Sequence, residues 1–138
     1  MADVFSTRKR SEVMATIRAT NTKPELITRR YLFAQGLRFR VHQGNLPGKP
    51  DIVLKKYNTV IFVNGCFWHG HKNCKSFRPP KSRTDYWVPK IQKNIANDKK
   101  NVKALKKMGW NVICIWECQL KVAFREDTLS ILVNRILL

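Results

Sequence analysis

An irregular stretch in the middle of the chain most constrains what it can fold into. From Gly65 to about Trp87 neither a helical nor an extended apolar period holds; cysteines, histidines, prolines, aromatics and basic residues follow one another unpatterned. With 138 residues the chain has room for one well-buried core and little more, so one domain over residues 1–138 is expected. A loop this long inside it has to be held by something other than its own packing. The stretch opens Gly65-Cys-Phe-Trp-His-Gly-His-Lys-Asn-Cys74, and Cys118 follows Trp116-Glu117. Cys66, His71, Cys74 and Cys118 are soft or borderline donors that suit a closed tetrahedral Zn²⁺ site, which would fasten the loop to the end of a strand. His69 is the alternative nitrogen donor, and no C-x-x-C pair is present. Cys114, inside an apolar strand, reads as a small buried hydrophobe. No apolar run suggests export or a membrane span, so the cysteines are expected reduced, in the cytoplasm.

The rest of the chain is more regular. Arg8 to Ala19 reads as a short basic helix, an N-terminal arm over residues 1–20. Thr22-Lys-Pro-Glu25 has the pattern of a capping box, starting a helix that runs to about Gln35 before Gly36 stops it. Leu37, Phe39 and Val41 alternate with Arg38, Arg40 and His42 as in a strand, and Gly44 to Gly48 breaks it. Asp51 to Leu54 and Thr59 to Asn64 are apolar runs joined by a short polar link, so three strands should meander antiparallel. Pro89 is placed to begin a helix whose stripe is Ile91, Ile95, Val102 and Leu105, with Lys93, Lys100 and Lys107 facing away and Gly109 ending it. Trp110 to Trp116 then reads as a strand parallel to a neighbour, because a long crossover helix reaches it. Thr128 to Leu137 closes the chain as an amphipathic helix. The fold class is α/β, a mixed sheet covered by helices.

Charge narrows the function. Lys and Arg number 27 against 9 Asp and Glu, a net charge of +18, which calls for a polyanionic partner; a hydrophobic content of 43% excludes a disordered basic tail. Arg8 in the arm, Lys49 before Asp51 and Arg83 in the basic loop are the cations expected on DNA. His42, among arginines, reads as a surface or DNA-facing residue. Asp51, with Glu25 on the preceding helix, offers the oxygens that Mg²⁺ takes, one or two carboxylates beside waters and phosphate. Their plainer readings are a turn residue after Pro50 and a helix cap. A free His69 beside such a site is a candidate general base, or only a group that orients a ligand. Phe67, Trp68, Tyr86 and Trp87 interleave with basic residues, which suits insertion between base pairs or a small satellite core around the loop.

Leu46-Pro-Gly-Lys-Pro-Asp51, Ile61-Phe-Val-Asn-Gly-Cys-Phe-Trp-His-Gly-His71, Arg83-Thr-Asp-Tyr-Trp87 and Trp116-Glu-Cys118 resemble the very short patch repair (Vsr) endonucleases from about residue 8 to residue 120. The resemblance implies a restriction-endonuclease-like fold of the PD-(D/E)XK kind, a structural Zn²⁺ and catalytic Mg²⁺. It implies a nick 5′ to the T of a T:G mismatch in double-stranded DNA, the lesion left by deamination of 5-methylcytosine, and a functional link to a DNA cytosine methyltransferase and other mismatch-repair proteins. Asp51 and the Val63 carbonyl would bind Mg²⁺, Glu25 would act through metal-bound water and His69 would be the general base. Cys66, His71, Cys74 and Cys118 would hold zinc, with Phe67, Trp68 and Trp87 intercalating within a zinc and DNA-contacting loop at 65–87. Family members often carry His where this chain has Asn64, and Thr in place of Val63. Asn cannot take or give up a proton, so a slower reaction is expected. The alternatives are a zinc-anchored DNA-binding module without catalysis and an HNH-type zinc nuclease using His69 and His71.

Overall fold

The computed structural model describes residues 22–67, 69–71, 74 and 83–138. The expected basic arm, Arg8 and Trp68 lie outside the described residues. Among the described residues, three α-helices and four strands follow in the order α1 (Lys23–Ala34), β1 (Arg40–Val41), β2 (Ile52–Leu54), β3 (Thr59–Asn64), α2 (Thr84–Lys107), β4 (Asn111–Trp116) and α3 (Arg125–Leu137). The sheet runs β1-β2-β3-β4, with β1, β2 and β3 antiparallel and β4 parallel to β3. The antiparallel meander and the parallel fourth strand are those expected from the sequence.

The period of two in β3 divides the molecule into layers. Ile61 and Val63 face one side, where Ile52, Leu54, Ile113 and Ile115 join Leu32 of α1 and Leu129, Leu132 and Ile136 of α3 in the main core. Val60 faces the other, where Val53 and Leu105 of α2 form a second, smaller cluster with Phe62 and Val112 against it. Full burial of a side chain the size of Leu or Ile contributes ~1.5–3 kcal/mol, so a charge at Ile61, which is 0% exposed, would break the main core. The two helical layers hold the sheet between them.

Two boundaries differ from the sequence reading. β1 is only Arg40–Val41, because Leu37 turns back to close α1, its N–H donating to the Leu32 carbonyl at 3.1 Å, and His42 leaves extended geometry at φ 51°. Helix α2 begins at Thr84 rather than Pro89, so the irregular loop ends at Arg83 and Trp87 stands on the helix. Pro89 is tolerated because the N–H it lacks would have bonded the carbonyl of Asp85, in the exposed first turn.

Candidate active site

β2 begins, and β3 and β4 end, at the same rim of the sheet, and Asp51 stands there just before β2. The β2–β3 ladder pairs Ile52 with Ile61, so the same register carried two residues further would set Val63 against Pro50. Proline has no N–H to give the Val63 carbonyl. The Val63 N–H instead donates to the Asp51 carboxylate, Oδ2 at 2.7 Å. The Pro-Asp pair thus removes a backbone donor and supplies a carboxylate at one strand edge. Burial pushes the Asp51 carboxyl up to about 7; the bond from Val63 opposes that shift and the neighbouring Glu25 charge adds to it.

Glu25 sits in the first turn of α1. Its N–H reaches the Thr22 hydroxyl at 3.4 Å, the backbone half of the expected capping box. Its carboxylate has another use: with the side chain 3% exposed, Oε2 accepts from Arg29 Nη2 at 2.8 Å and lies 3.4 Å from His42 Nε2. Glu25, His42 and Asp51 each offer a ligand atom within 4.8 Å of the others. His42, read as a surface or DNA-facing residue, joins this cluster; its left-handed backbone turns it out of the strand's alternation.

A cleft of about 570 Å³ opens over Glu25 and Asp51, lined also by Lys49, Val63, Asn64, Phe67, His69 and Asp98. His69 Nδ1 is 2.6 Å from Asp98 Oδ2, a carboxylate partner that makes Nδ1 the protonated nitrogen and leaves Nε2 as the acceptor. Sequence reasoning passed over Asp98, although it and Asp85 are the acids of a helix otherwise rich in lysine. Asn64, 7% exposed, stands between this cleft and a second cavity of about 850 Å³ under α2, and lines both.

The other cluster gathers Cys66, His71, Cys74 and Cys118, again with ligand atoms within 4.8 Å of one another. His71 Nδ1 is 3.6 Å from Cys66 Sγ and 3.5 Å from Cys118 Sγ. A tetrahedral ion with Zn–S of 2.3 Å and Zn–N of 2.1 Å would separate S and N by about 3.6 Å, so the donors fit zinc. His71, not His69, is the nitrogen donor here. Burial pushes the Cys66 thiol up to about 12 and raises that of Cys118 as well, so the cluster favours ionised thiolates only with a cation among them. His71 stacks on Trp116 at 3.9 Å, and the Glu117 carboxylate accepts the Cys66 N–H at 3.0 Å, fixing the loop where it leaves β3. Cys114, buried in part, faces the second cavity.

Phe67 meets Trp87 edge to face at 5.4 Å, and Tyr86 meets Trp87 at 4.9 Å. Arg83 lies over Tyr86, 5.1 Å from the ring centre, and Arg83 and Lys49 are exposed. A family model described as DNA mismatch endonuclease Vsr matches residues 2–76. This chain belongs to the Vsr family. It is 50% identical over 137 residues to the type II nicking enzyme V.NmeAIP of Neisseria meningitidis serogroup A, covering 99% of this chain and 97% of that one. To V.XorIIP of Xanthomonas oryzae pv. oryzae it is 47% identical, over 87% and 88% of the two chains. To the DNA mismatch endonuclease Vsr of Escherichia coli K12 it is 43% identical, over 88% and 77%. It is therefore a DNA endonuclease of the Vsr family, with the restriction-endonuclease-like α/β fold. No helix among the described residues is long and apolar enough to cross a membrane.

Proposed function

We propose that this Vsr-family endonuclease nicks one strand of double-stranded DNA 5′ to the T of a T:G mismatch, as a single domain acting in the cytoplasm on lesions left by 5-methylcytosine deamination. The observation that carries the reading is the His69–Asp98 pair, 2.6 Å apart, lining the same cleft as Asp51 and Glu25. Asp51 and the Val63 carbonyl would hold Mg²⁺, one carboxylate and one neutral oxygen being enough for an ion that keeps several waters. When bound, the ion supplies charge neutralisation at the phosphate and a more acidic water. His69 Nε2 takes the proton of the attacking water; Asp98 keeps the ring in that tautomer and stabilises the imidazolium that forms. Asn64 hydrogen-bonds phosphate or water without exchanging a proton. The thiol and imidazole cluster holds a structural zinc.

Phe67 and Trp87, with Trp68, form the wedge that enters the base stack, which costs least where pairing is already weak. Lys49, Arg83 and Arg8 hold the backbone. The source of the mismatch ties the enzyme functionally to a cytosine methyltransferase and to other mismatch-repair proteins. Strand-labelled T:G duplexes with randomised flanks, beside T:A and C:G controls, test this with Mg²⁺ and with chelator. A Mg²⁺-dependent nick beside the mismatched T alone is expected. Tight binding with no nick on any flank would leave only a DNA-binding module.

A further inference from the structure

The cavity of about 850 Å³ under α2 takes no part in the chemistry above, yet it adjoins it. Asn64, His69 and Asp98 line both this cavity and the catalytic cleft, so the two meet at the His69–Asp98 pair. The rest of its wall differs from the cleft's. Ile95 and Val102, half-buried on α2, and Cys114 and Trp116 of β4 give it an apolar floor. Lys99, Lys103, Lys106 and Lys107 are exposed along its rim, and none of them pairs with a carboxylate among the described residues. The carboxylate in the lining, Asp98, is engaged by His69. At a rise of about 1.5 Å per residue the lysine row extends ~12 Å along α2, leading away from the catalytic pair.

A cationic rim without counter-charges over an apolar floor fits a ligand that carries anionic groups beside flat apolar ones. A second copy of this chain, at +18, would be repelled. A duplex keeps its base faces stacked inside and would reach the lysines but not the floor, whereas a single strand presents phosphates and ring faces together. His71 covers one face of Trp116 at 3.9 Å, and the ring still lines the cavity, where it joins Ile95 and Val102 as a surface for bases. We propose that the cavity is a single-strand site: it takes the nucleotides on one side of the new nick as they leave the cleft and holds the cut strand apart from its complement. This rests on the catalytic reading of the cleft and adds a step after it. The nicked product is thereby presented open to whatever class of reaction removes or extends the strand end.

The test measures binding of the full-length, zinc-loaded protein to nicked T:G duplexes by fluorescence anisotropy, with Ca²⁺ in place of Mg²⁺. One duplex is fully paired up to the nick, and two others carry an unpaired thymidine tail on its 5′ or its 3′ side. One tail, not both, should tighten binding about tenfold, the contribution of a stacked base, because the cavity meets the cleft at one end only. That gain should vanish in Lys103→Gln with Lys106→Gln. The favoured tail should also slow alkylation of Cys114 by monobromobimane, zinc holding the other cysteines. A gain from neither tail, an equal gain from both, or a gain untouched by the lysine changes overturns the proposal. A peptide of alternating Glu and Leu that shields Cys114 where neither tail does would overturn it in favour of a protein partner. Nicking of the intact T:G duplex with Mg²⁺ is followed in parallel. If nicking is normal, failure of the tails removes this inference alone; if nicking is absent, the catalytic reading falls with it.

Discussion

The two ligand clusters stand at the same rim of the sheet and differ in almost every other respect. Cys66, His71, Cys74 and Cys118 surround a point, their donors at the separations of a closed tetrahedron. Glu25 and Asp51 lie along the wall of an open cleft, with His42 beside them and Arg29 bonded to Glu25, next to a strand edge with a missing backbone donor. The first arrangement joins a loop to a strand 52 positions away in sequence, reckoned from Cys66 to Cys118; the second leaves room for a phosphate. A closed soft site is suited to holding the fold, an open hard site to chemistry. The two are coupled, because the Glu117 carboxylate that precedes Cys118 receives the Cys66 N–H, and the loop so fixed brings His69 to Asp98.

This contrast breaks most visibly in the closed cluster. Cys118→Ala, or zinc removal by a strong chelator, should abolish cooperative unfolding or lower the melting temperature steeply, read by circular dichroism beside the zinc content. A metal-free protein with an unchanged melting curve would show that the cluster does not hold the fold. In the open cluster the outcome reverses: Asp51→Ala should remove nicking while the protein stays folded, and nicking that persisted would point to histidine chemistry of the HNH kind. Within the cleft, His69→Ala should slow single-turnover nicking by ~10²–10⁴-fold. Asp98→Asn should cost less, about 10–100-fold, as for other groups that orient a histidine; equal losses would mean the pair works only as a unit.

A smaller effect comes from pH. The Asp51 carboxyl is raised from 3.8 to about 7, so between those values the folded protein keeps a proton that the unfolded chain has lost. Stability of the zinc-loaded protein kept free of Mg²⁺ should therefore fall as pH rises through that window and level off above it. Asp51→Asn should flatten the slope. A zinc-loaded, Mg²⁺-free protein that gains stability from pH 4 to 7, with the gain lost in Asp51→Asn, would contradict the burial of that carboxyl.

The closed cluster was almost fully legible in the sequence, because few residue types ligate zinc and four of them stood in or beside an otherwise unsupported loop. The sequence put His71 first and left His69 as the alternative; in the structure His71 stacks on Trp116 among the thiols, while His69 pairs with Asp98. The open cluster was half legible. Asp51 and Glu25 were readable as candidates and through the family motif, but carboxylates have many ordinary uses. His42 and Arg29 join them through a backbone turn and a helical spacing that carry no chemical signature, and Asp98 looks like one acid on a soluble helix. Among the elements, period-two patterns gave the strands and their pairing. Boundaries failed where one residue's local preference lost to its surroundings, at Pro89 inside α2 and at His42 after β1.

The parallel register of β3 and β4, from Thr59 beside Asn111 to Asn64 beside Trp116, gives the molecule a working end and an idle end. Both ligand clusters lie towards the Asn64 and Trp116 end. At the opposite end, Asn58 ties the Lys55–Tyr57 turn to Gly109 and Asn111: its side-chain amide donates to the Gly109 carbonyl and its own carbonyl accepts from Asn111. Lys55 and Lys56 are exposed there. A reporter or a few extra residues inserted at that turn would leave the catalytic rim undisturbed, whereas the same addition between Asn64 and Cys66 would misplace both clusters at once. Variation in chain length is therefore affordable at one end of the sheet and forbidden at the other.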